Sequence, residues 1–305
     1  MRNLIRSLVG RNRPSLRESQ KPNVLLEYDH SARQFRFTDN GGYESRTRST
    51  IHLLMESAVK ARLAKSVSIP VFTDDFVAPS VEFKCFGYCK GPETPNVVPI
   101  PDHIFWGWPE VGISDYDSTA KVMLSASELA PEDDRLFWIG NPKTNPTRVT
   151  FLEIAAKATD LICGIGMGWQ PDGVAPAQPL KTIGQFVSLP DHCRFRYLID
   201  LQARGYSGRT KLLLFSGRTL FIQEREWQEY FFSDLVPFTH YIPVRADLSD
   251  LIERLQWARM NSAEASAIAR NAQEYALKNL WRSNAVDYLA HCIRSWADPG
   301  ENQPC

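Results

Sequence analysis

The sequence predicts an α/β protein with a parallel sheet in its second half. Three short apolar runs, Tyr197 to Leu201, Thr219 to Gln223 and Tyr241 to Val244, alternate with two segments of helical character. This is the pattern of strands joined by crossover helices. Between the first run and the next helix stands Gly205-Tyr206-Ser207-Gly208-Arg209. A turn of small residues after a strand, opening a helix, leaves backbone N–H groups free to meet an anion. Arg209 adds a planar cation that can fork two phosphate oxygens. Turns of this spacing are common and most bind nothing, so the flanking residues matter more than the spacing.

The 305 residues suffice for one large or two ordinary domains. Thirty-five basic and thirty-five acidic residues cancel, which leaves no global field to recruit nucleic acid. The six cysteines (Cys85, Cys89, Cys163, Cys193, Cys292, Cys305) are scattered, and no Cys or His pair completes a zinc site with Cys85 and Cys89. Those two read as core residues of a strand, and reduced thiols in the cytoplasm are the plain expectation. No apolar run is long enough to span a bilayer. Residues 1–20 form a basic leader, with Arg2, Arg6, Arg11 and Arg13 around Leu4, Ile5, Leu8 and Val9. It is too short in its apolar part for a secretory signal. It reads as a disordered tail or as a peripheral contact with a membrane surface, and its composition also suits a transit peptide.

Taken in order, Val24 to Phe37 alternates as a hairpin with Asp29 to Ala32 as its turn. Thr50 to Ala64 follows as an amphipathic helix with Ile51, Leu54, Ala58, Val59 and Leu63 on one face. The strand Ser66 to Thr73 ends at Asp74-Asp75. Acids beyond a strand's carboxyl end are either catalytic or ordinary turn and cap residues. A strand around Phe83 to Phe86 and the turn Ile100-Pro101-Asp102 lead to Phe105, Trp106 and Trp108, aromatics that either pack or stack on sugar faces. Asp115-Tyr116-Asp117 reads as a polar turn.

The acidic, Pro-containing stretch 125–135 marks the expected boundary, giving domains at 21–130 and 131–281 with a last helix and tail at 282–305. The second domain opens with the strand Leu136 to Ile139, then Gly140 and Lys143, then a helix capped by Asn145, opened by Pro146 and carrying Arg148. Asp160 to Met167 is another strand, followed by a Pro/Gly-rich loop at 168–179. After the turn at 205–209 come helices at Asp247 to Arg259, Asn261 to Leu280, with a box-like start at Asn261 and Glu264, and Arg282 to Trp296. His192 and His240 read as buried hydrogen-bonding histidines.

Asp191-His192-Cys193, Ser207-x-Arg209-x-Lys211, Glu226-Trp227 and His240-Tyr241-Ile242-Pro243-Val244 before Asp247-Leu248-Ser249 together resemble glycosyltransferase family 90, densely from Asp191 to Leu280. Upstream, Thr73-x-Asp75 and Phe105-Trp106-Gly107-Trp108-Pro109 resemble the same family. The resemblance implies two Rossmann-like domains facing across a cleft, the GT-B type, with the final helix crossing back to the first domain. It implies an inverting transfer of a hexose or pentose from a UDP-sugar to a hydroxyl of a surface glycan or lipopolysaccharide-type acceptor, on the cytoplasmic side of a membrane. Asp75 matches the family's base, with Asp74 as its neighbour one residue away. Ser207, Gly208 and Arg209 would hold the diphosphate, with Gly140, Lys143 and Arg148 entering from the other loop. Glu226, or Glu229 nearby, would accept from the ribose. No metal is expected, because arginine and a helix terminus would take over its electrostatic task. The chain departs from the family at Ile139, where an arginine is usual before the glycine.

That departure motivates a second reading, a non-catalytic relative that binds nucleotide-sugar or glycan. A third, an NAD-type oxidoreductase, is weaker: Gly164-Ile165-Gly166-Met167-Gly168 has the wrong spacing for a dinucleotide turn and no capped helix after it.

Overall fold

The computed structural model describes residues 20–167 and 186–298. The basic leader, the loop at 168–179 and Cys305 therefore lie outside the described residues, apart from Gln20 at the leader's edge. The molecule is a mixed α/β structure built on two sheets rich in parallel pairs.

The first sheet runs β2-β1-β3-β4-β5. Strands β1 (Val24–Asp29) and β2 (Gln34–Asp39) form the expected antiparallel hairpin, with Val24, Leu26 and Tyr28 turned inward at every second residue. β3 (Val67–Val71) pairs antiparallel with β1 and parallel with β4 (Cys85–Gly87), which pairs parallel with β5 (Val97–Pro99). No helix joins β3 to β4 or β4 to β5. The first half thus departs from a Rossmann-like unit, because loops of 13 and 9 residues at 72–84 and 88–96 replace the crossovers. Cys85 and Cys89 are buried free thiols, as their alternation with apolar residues suggests.

Helix α1 (Glu44–Ala61) starts six residues earlier than the apolar spacing implies and turns a different stripe inward. Leu53, Leu54, Ala58 and Ala61 are buried with Thr47 and Thr50, whereas Val59 is 73% exposed. The polar first turn is drawn in by hydrogen bonds: the hydroxyls of Thr47 and Thr73 lie 3.2 Å apart, and that of Thr50 lies 2.5 Å from Tyr88 Oη. A hydrophobic-periodicity template does not register such contacts.

The second sheet runs β10-β9-β8-β6-β7, all parallel. Its members are β6 (Asp133–Gly140), β7 (Ile162–Gly166), β8 (Phe195–Asp200), β9 (Thr219–Gln223) and β10 (Ile242–Val244). Alternate residues feed two layers. Phe137, Leu198 and Leu220 face one core, while Trp138, Ile199 and Phe221 face another beneath α3 (Pro146–Lys157) and α5 (Leu251–Met260). Asn145 caps α3 by accepting from Thr147 N at 3.0 Å. Asn261, by contrast, closes α5 by donating to Trp257 O rather than opening α6 (Ser262–Asn279). The order of this sheet reverses between β6 and β8, and in open parallel sheets such a reversal leaves a crevice at the strands' carboxyl ends.

Helix α2 (Tyr116–Ser127), placed before the expected boundary, packs on second-half elements. Arg218 donates from Nε to Cys193 O at 2.7 Å and from Nη1 to Ser127 O at 3.1 Å, and Tyr116 Oη donates to Leu280 O at 2.8 Å. Asp115 caps this helix and pairs with Arg282. Helix α7 (Arg282–Ala297) lies along α1, with Lys60 and Asp287 paired at 2.7 Å and Arg294 donating to Ala61 O.

The halves meet through the loops beyond their strands' carboxyl ends. Lys90 and Gln228 exchange backbone hydrogen bonds of 2.9 and 3.0 Å, and the rings of Phe76 and Trp227 sit 5.1 Å apart. Gly205 abuts the Asp75 carbonyl so closely that a Cβ there would lie 2.2 Å from the oxygen. We therefore expect Gly205→Ala to lose about 3 kcal/mol, the upper end for an inserted methyl, because the obstructing atom is backbone. An unchanged thermal midpoint would show that the two loops are not held against each other in solution.

Candidate active site

The crevice between β6 and β8 is organised by Asp200, the last residue of β8. Fully buried, its carboxylate accepts from Ser207 Oγ at 2.6 Å, Thr210 Oγ1 at 2.7 Å and Arg225 Nη1 at 2.9 Å. Burial alone would raise its pKa, but Arg225, Arg209 and the two hydroxyls together hold it below the ordinary carboxylate value. Ser207 therefore spends its hydroxyl on folding the turn at 205–209. The element that follows is a single α turn, α4 (Thr210–Leu213), continued by a 3-10 turn over Leu214–Ser216. An element this short carries little macrodipole, so an anion here would depend on side-chain cations.

Arg209 is the cation in place. Its Nη1 donates to Ile139 O at the end of β6, its guanidinium lies 5.7 Å from the Trp138 ring, and its Nη2 is buried with no partner. Burial lowers its pKa, with Asp200 opposing. Arg148 also faces the Trp138 ring, at 5.5 Å. All three of its nitrogens are engaged, donating to Gln202 O at 2.8 Å, Asn141 O at 3.2 Å and Leu201 O at 2.9 Å. Burial, aided by the nearby charge of Arg209, pushes Arg148 down to about 9. In this structure Arg148 fixes the β6 and β8 loops relative to each other. Gly140 lies under the Trp138 indole, where a Cβ would come within 2.9 Å of the ring. Lys143 is exposed, and its backbone N–H donates to Asn141 Oδ1.

His192 lies behind Arg209. Its Nδ1 is 2.7 Å from Ser188 O, its Nε2 is buried without a partner, and burial followed by Arg209 pushes it down to about 3. His240 Nδ1 accepts from Val236 N at 2.9 Å. Both are hydrogen-bonding histidines, but whereas His192 is buried as expected, His240 is only half-buried. Glu226, two residues further along than Glu224 beyond β9, is exposed and bonded to no described residue. Its alternative, Glu229, is buried in an ion cluster.

That cluster was not foreseen from sequence. Lys211 Nζ, fully buried, donates to Asp102 Oδ2 at 3.0 Å, Glu229 Oε1 at 2.8 Å and Gly208 O at 2.9 Å. Asp102 comes from the loop after β5 in the first half, and the other two from the second. One ammonium thus faces two carboxyls in a low-dielectric setting. Burial raises Glu229 to about 7, with Lys211 opposing and Asp102 adding to the rise.

Across the junction, Asp75 and Asp74 are held differently. Asp75 Oδ1 accepts from Arg46 Nη1 at 2.8 Å, and Asp74 Oδ2 from Gln20 Nε2 at 2.8 Å. Trp108 lies beneath Arg46 at 5.3 Å, Trp106 stacks on His52 at 4.7 Å, and Phe105 is wholly buried against Tyr116. His103, buried beside Tyr88 and Trp108, has neither ring nitrogen bonded, and burial holds its pKa well below the ordinary value. Among the described residues no group of three or more His, Cys, Asp or Glu is placed to hold a metal ion.

The structure thus brings Asp75, Ser207, Gly208, Arg209, Gly140 and Arg148 to one junction and leaves Lys143 and Glu226 on its exposed margin. It adds Arg46, Asp102, Asp200, Lys211 and Arg225. Asp200 had a local signal, an acid closing an apolar strand, whereas the partners of Lys211 and Arg46 have none.

The model of Glycosyl transferase family 90 matches residues 73–304. The chain belongs to this glycosyltransferase family. Protein O-glucosyltransferase 1 of Rattus norvegicus is 32% identical over 117 residues, 38% of this chain and 30% of the relative. Protein O-glucosyltransferase 2 of Danio rerio is 31% identical over 118 residues, 39% of this chain and 24% of the relative. The matched stretch is thus less than a third of either relative's length. Among solved structures, Anabaena HepE in complex with UDP-glucose aligns with a TM-score of 0.35 at 11% identity, over 62% of this chain and 46% of the other.

Glu229 yields a pH test. Its folded pKa stands above the unfolded one, so its contribution to stability is fully present below the unfolded value and is lost as pH rises through about 7. Relative to Glu229→Gln, the wild-type thermal midpoint should therefore fall by roughly 2–4 °C between about pH 6 and pH 8. Midpoints that stay parallel across this range would mean that Glu229 does not titrate there.

Proposed function

We propose that the protein is an inverting glycosyltransferase that moves a hexose or pentose from a UDP-sugar to a hydroxyl of a surface glycan or lipopolysaccharide-type acceptor. The observation that carries this reading is the contact of the Gly205–Arg209 turn with the backbone carbonyl of Asp75, which brings the turn after β8 against the loop after β3. Membership of the family supports it, as do relatives named protein O-glucosyltransferases. The two halves would act as a GT-B pair, with the donor on the second and the acceptor on the first.

In this reading the acceptor oxygen attacks the anomeric carbon as Asp75 takes its proton, and the bond from that carbon to the diphosphate breaks, so UDP leaves with the electron pair. Arg209, with one N–H unspent, meets the charge growing on the leaving group, and the backbone around Gly208 adds donors. Electrostatic stabilisation would come from these groups without a metal ion. Arg148 keeps the loops in register, Lys143 reaches the donor from the margin and Glu226 accepts from the ribose. The reaction is placed on the cytoplasmic side of a membrane, touched through the basic leader.

The second reading, a binding protein without turnover, keeps its motive in Ile139, whose carbonyl accepts from Arg209 where the family pattern has an arginine. Two variants separate them. Asp75→Asn should lower turnover of a UDP-sugar by about 10²–10⁴-fold and keep UDP binding. Arg209→Ala should abolish the stabilisation by UDP, which is about 2.7 kcal/mol for the wild type at a hundredfold over Kd. UDP binding with no turnover by the wild type would favour the binding protein, and full turnover by Asp75→Asn would remove Asp75 as base.

A further inference from the structure

Asp75 is immobilised from two directions. Its backbone carbonyl accepts from Cys89 Sγ at 3.3 Å and lies against Gly205. Its carboxylate is bonded through Oδ1 alone, to Arg46 Nη1 at 2.8 Å, and Oδ2 is bonded to no described residue. Arg46 is itself tightly held. Its guanidinium lies over the ring of Tyr43 at 4.7 Å and over that of Trp108 at 5.3 Å, and its side chain is only 14% exposed, against 32% for Asp75. The hydroxyls of Thr47 and Thr73 tie the first turn of α1 to the residue two before Asp75. Burial works against the charge on Arg46, but Asp75 and the phenols of Tyr206 and Tyr88 outweigh it and hold the pKa above the ordinary value.

A largely buried guanidinium packed on two rings resists following a moving carboxylate, so it sets the carboxylate's orientation. With Oδ1 occupied, one oxygen is left to take a proton. We propose that Arg46 is the positioning residue for the Asp75 base, fixing the carboxylate through Oδ1 so that Oδ2 receives the acceptor proton. This rests on the reading of Asp75 as base. The proton moves from the acceptor hydroxyl to Oδ2 as the new C–O bond forms and the bond to the diphosphate breaks. It then passes to solvent, which the partly exposed carboxyl can reach.

The test uses the full chain with UDP-glucose, scoring UDP release to water and to added acceptors. For Arg46→Ala, kcat should fall by about a hundredfold. KM for UDP-glucose should stay within about twofold, because the donor's phosphates are held by the other half. Arg46→Lys should recover part of the loss, and millimolar guanidinium added to Arg46→Ala should recover about tenfold, which a general loss of folding would not allow. UDP-induced stabilisation, measured in parallel, reports the donor site. Retention of wild-type kcat in Arg46→Ala, or a loss that guanidinium does not relieve, would overturn the proposal. So would a rise in kcat, which would mark the ion pair as an inhibitory latch. Turnover by Asp75→Asn, or none by the wild type, would instead remove the reading on which the proposal stands.

Discussion

The buried contact of Lys211 with Asp102 and Glu229 is the constraint on which the rest of the site depends. An ammonium in a fully buried position is tolerated only if its charge is met there, and carboxyls from both halves of the chain meet it. The same ammonium also donates to Gly208 O. One cation thus joins the halves and holds the turn that carries Arg209. Two carboxyls share one ammonium, and burial, to which the charge of Asp102 adds, raises the pKa of Glu229 against the pull of Lys211. Apolar residues of similar volume can stabilise a buried junction equally well, but they do not fix the orientation of a turn carbonyl.

Around that joint, charges are divided between building and presenting. Asp200 and Arg225 are consumed inside the β8 turn, and Arg148 is consumed by the carbonyls of the loops it spans. Among the described cations of this joint, Arg209, which like Arg148 lies over the Trp138 ring, retains a buried N–H with no partner. Asp75 shows the same economy, with one carboxylate oxygen used and one open. The short α4 explains why this division matters at the turn it follows, since a single turn of helix brings little dipole there.

Much of this was legible in the sequence wherever the signal was local. β9 has the bounds of its apolar run, and Asn145 with Pro146 marked the start of α3. Where tertiary contacts decided the outcome, local patterns misled. The start of α1 is polar, yet its threonines are buried by hydroxyl pairs reaching Thr73 and Tyr88. The first half reads as strands and a helix, yet loops rather than helices connect its parallel strands. Ser207 has the residue type of a phosphate ligand, but Asp200 takes its hydroxyl. The pairs that build the site, Lys211 with Asp102 and Arg46 with Asp75, join positions 109 and 29 residues apart. No spacing rule reaches that far.

The packing of α7 on α1 has a consequence for how the chain acquires its shape. α1 ends at Ala61 and α7 begins at Arg282. At about 5–20 residues per second of synthesis, the interval between the two is on the order of 10–40 s. Throughout that time the helix that carries Arg46 lacks the neighbour that covers one of its faces, while the second sheet, made of strands close in sequence, can form on its own schedule. The helix that carries Arg46 is therefore made long before the helix that covers it, and its C-terminal turn, where Lys60 meets Asp287 and Ala61 meets Arg294, is completed late.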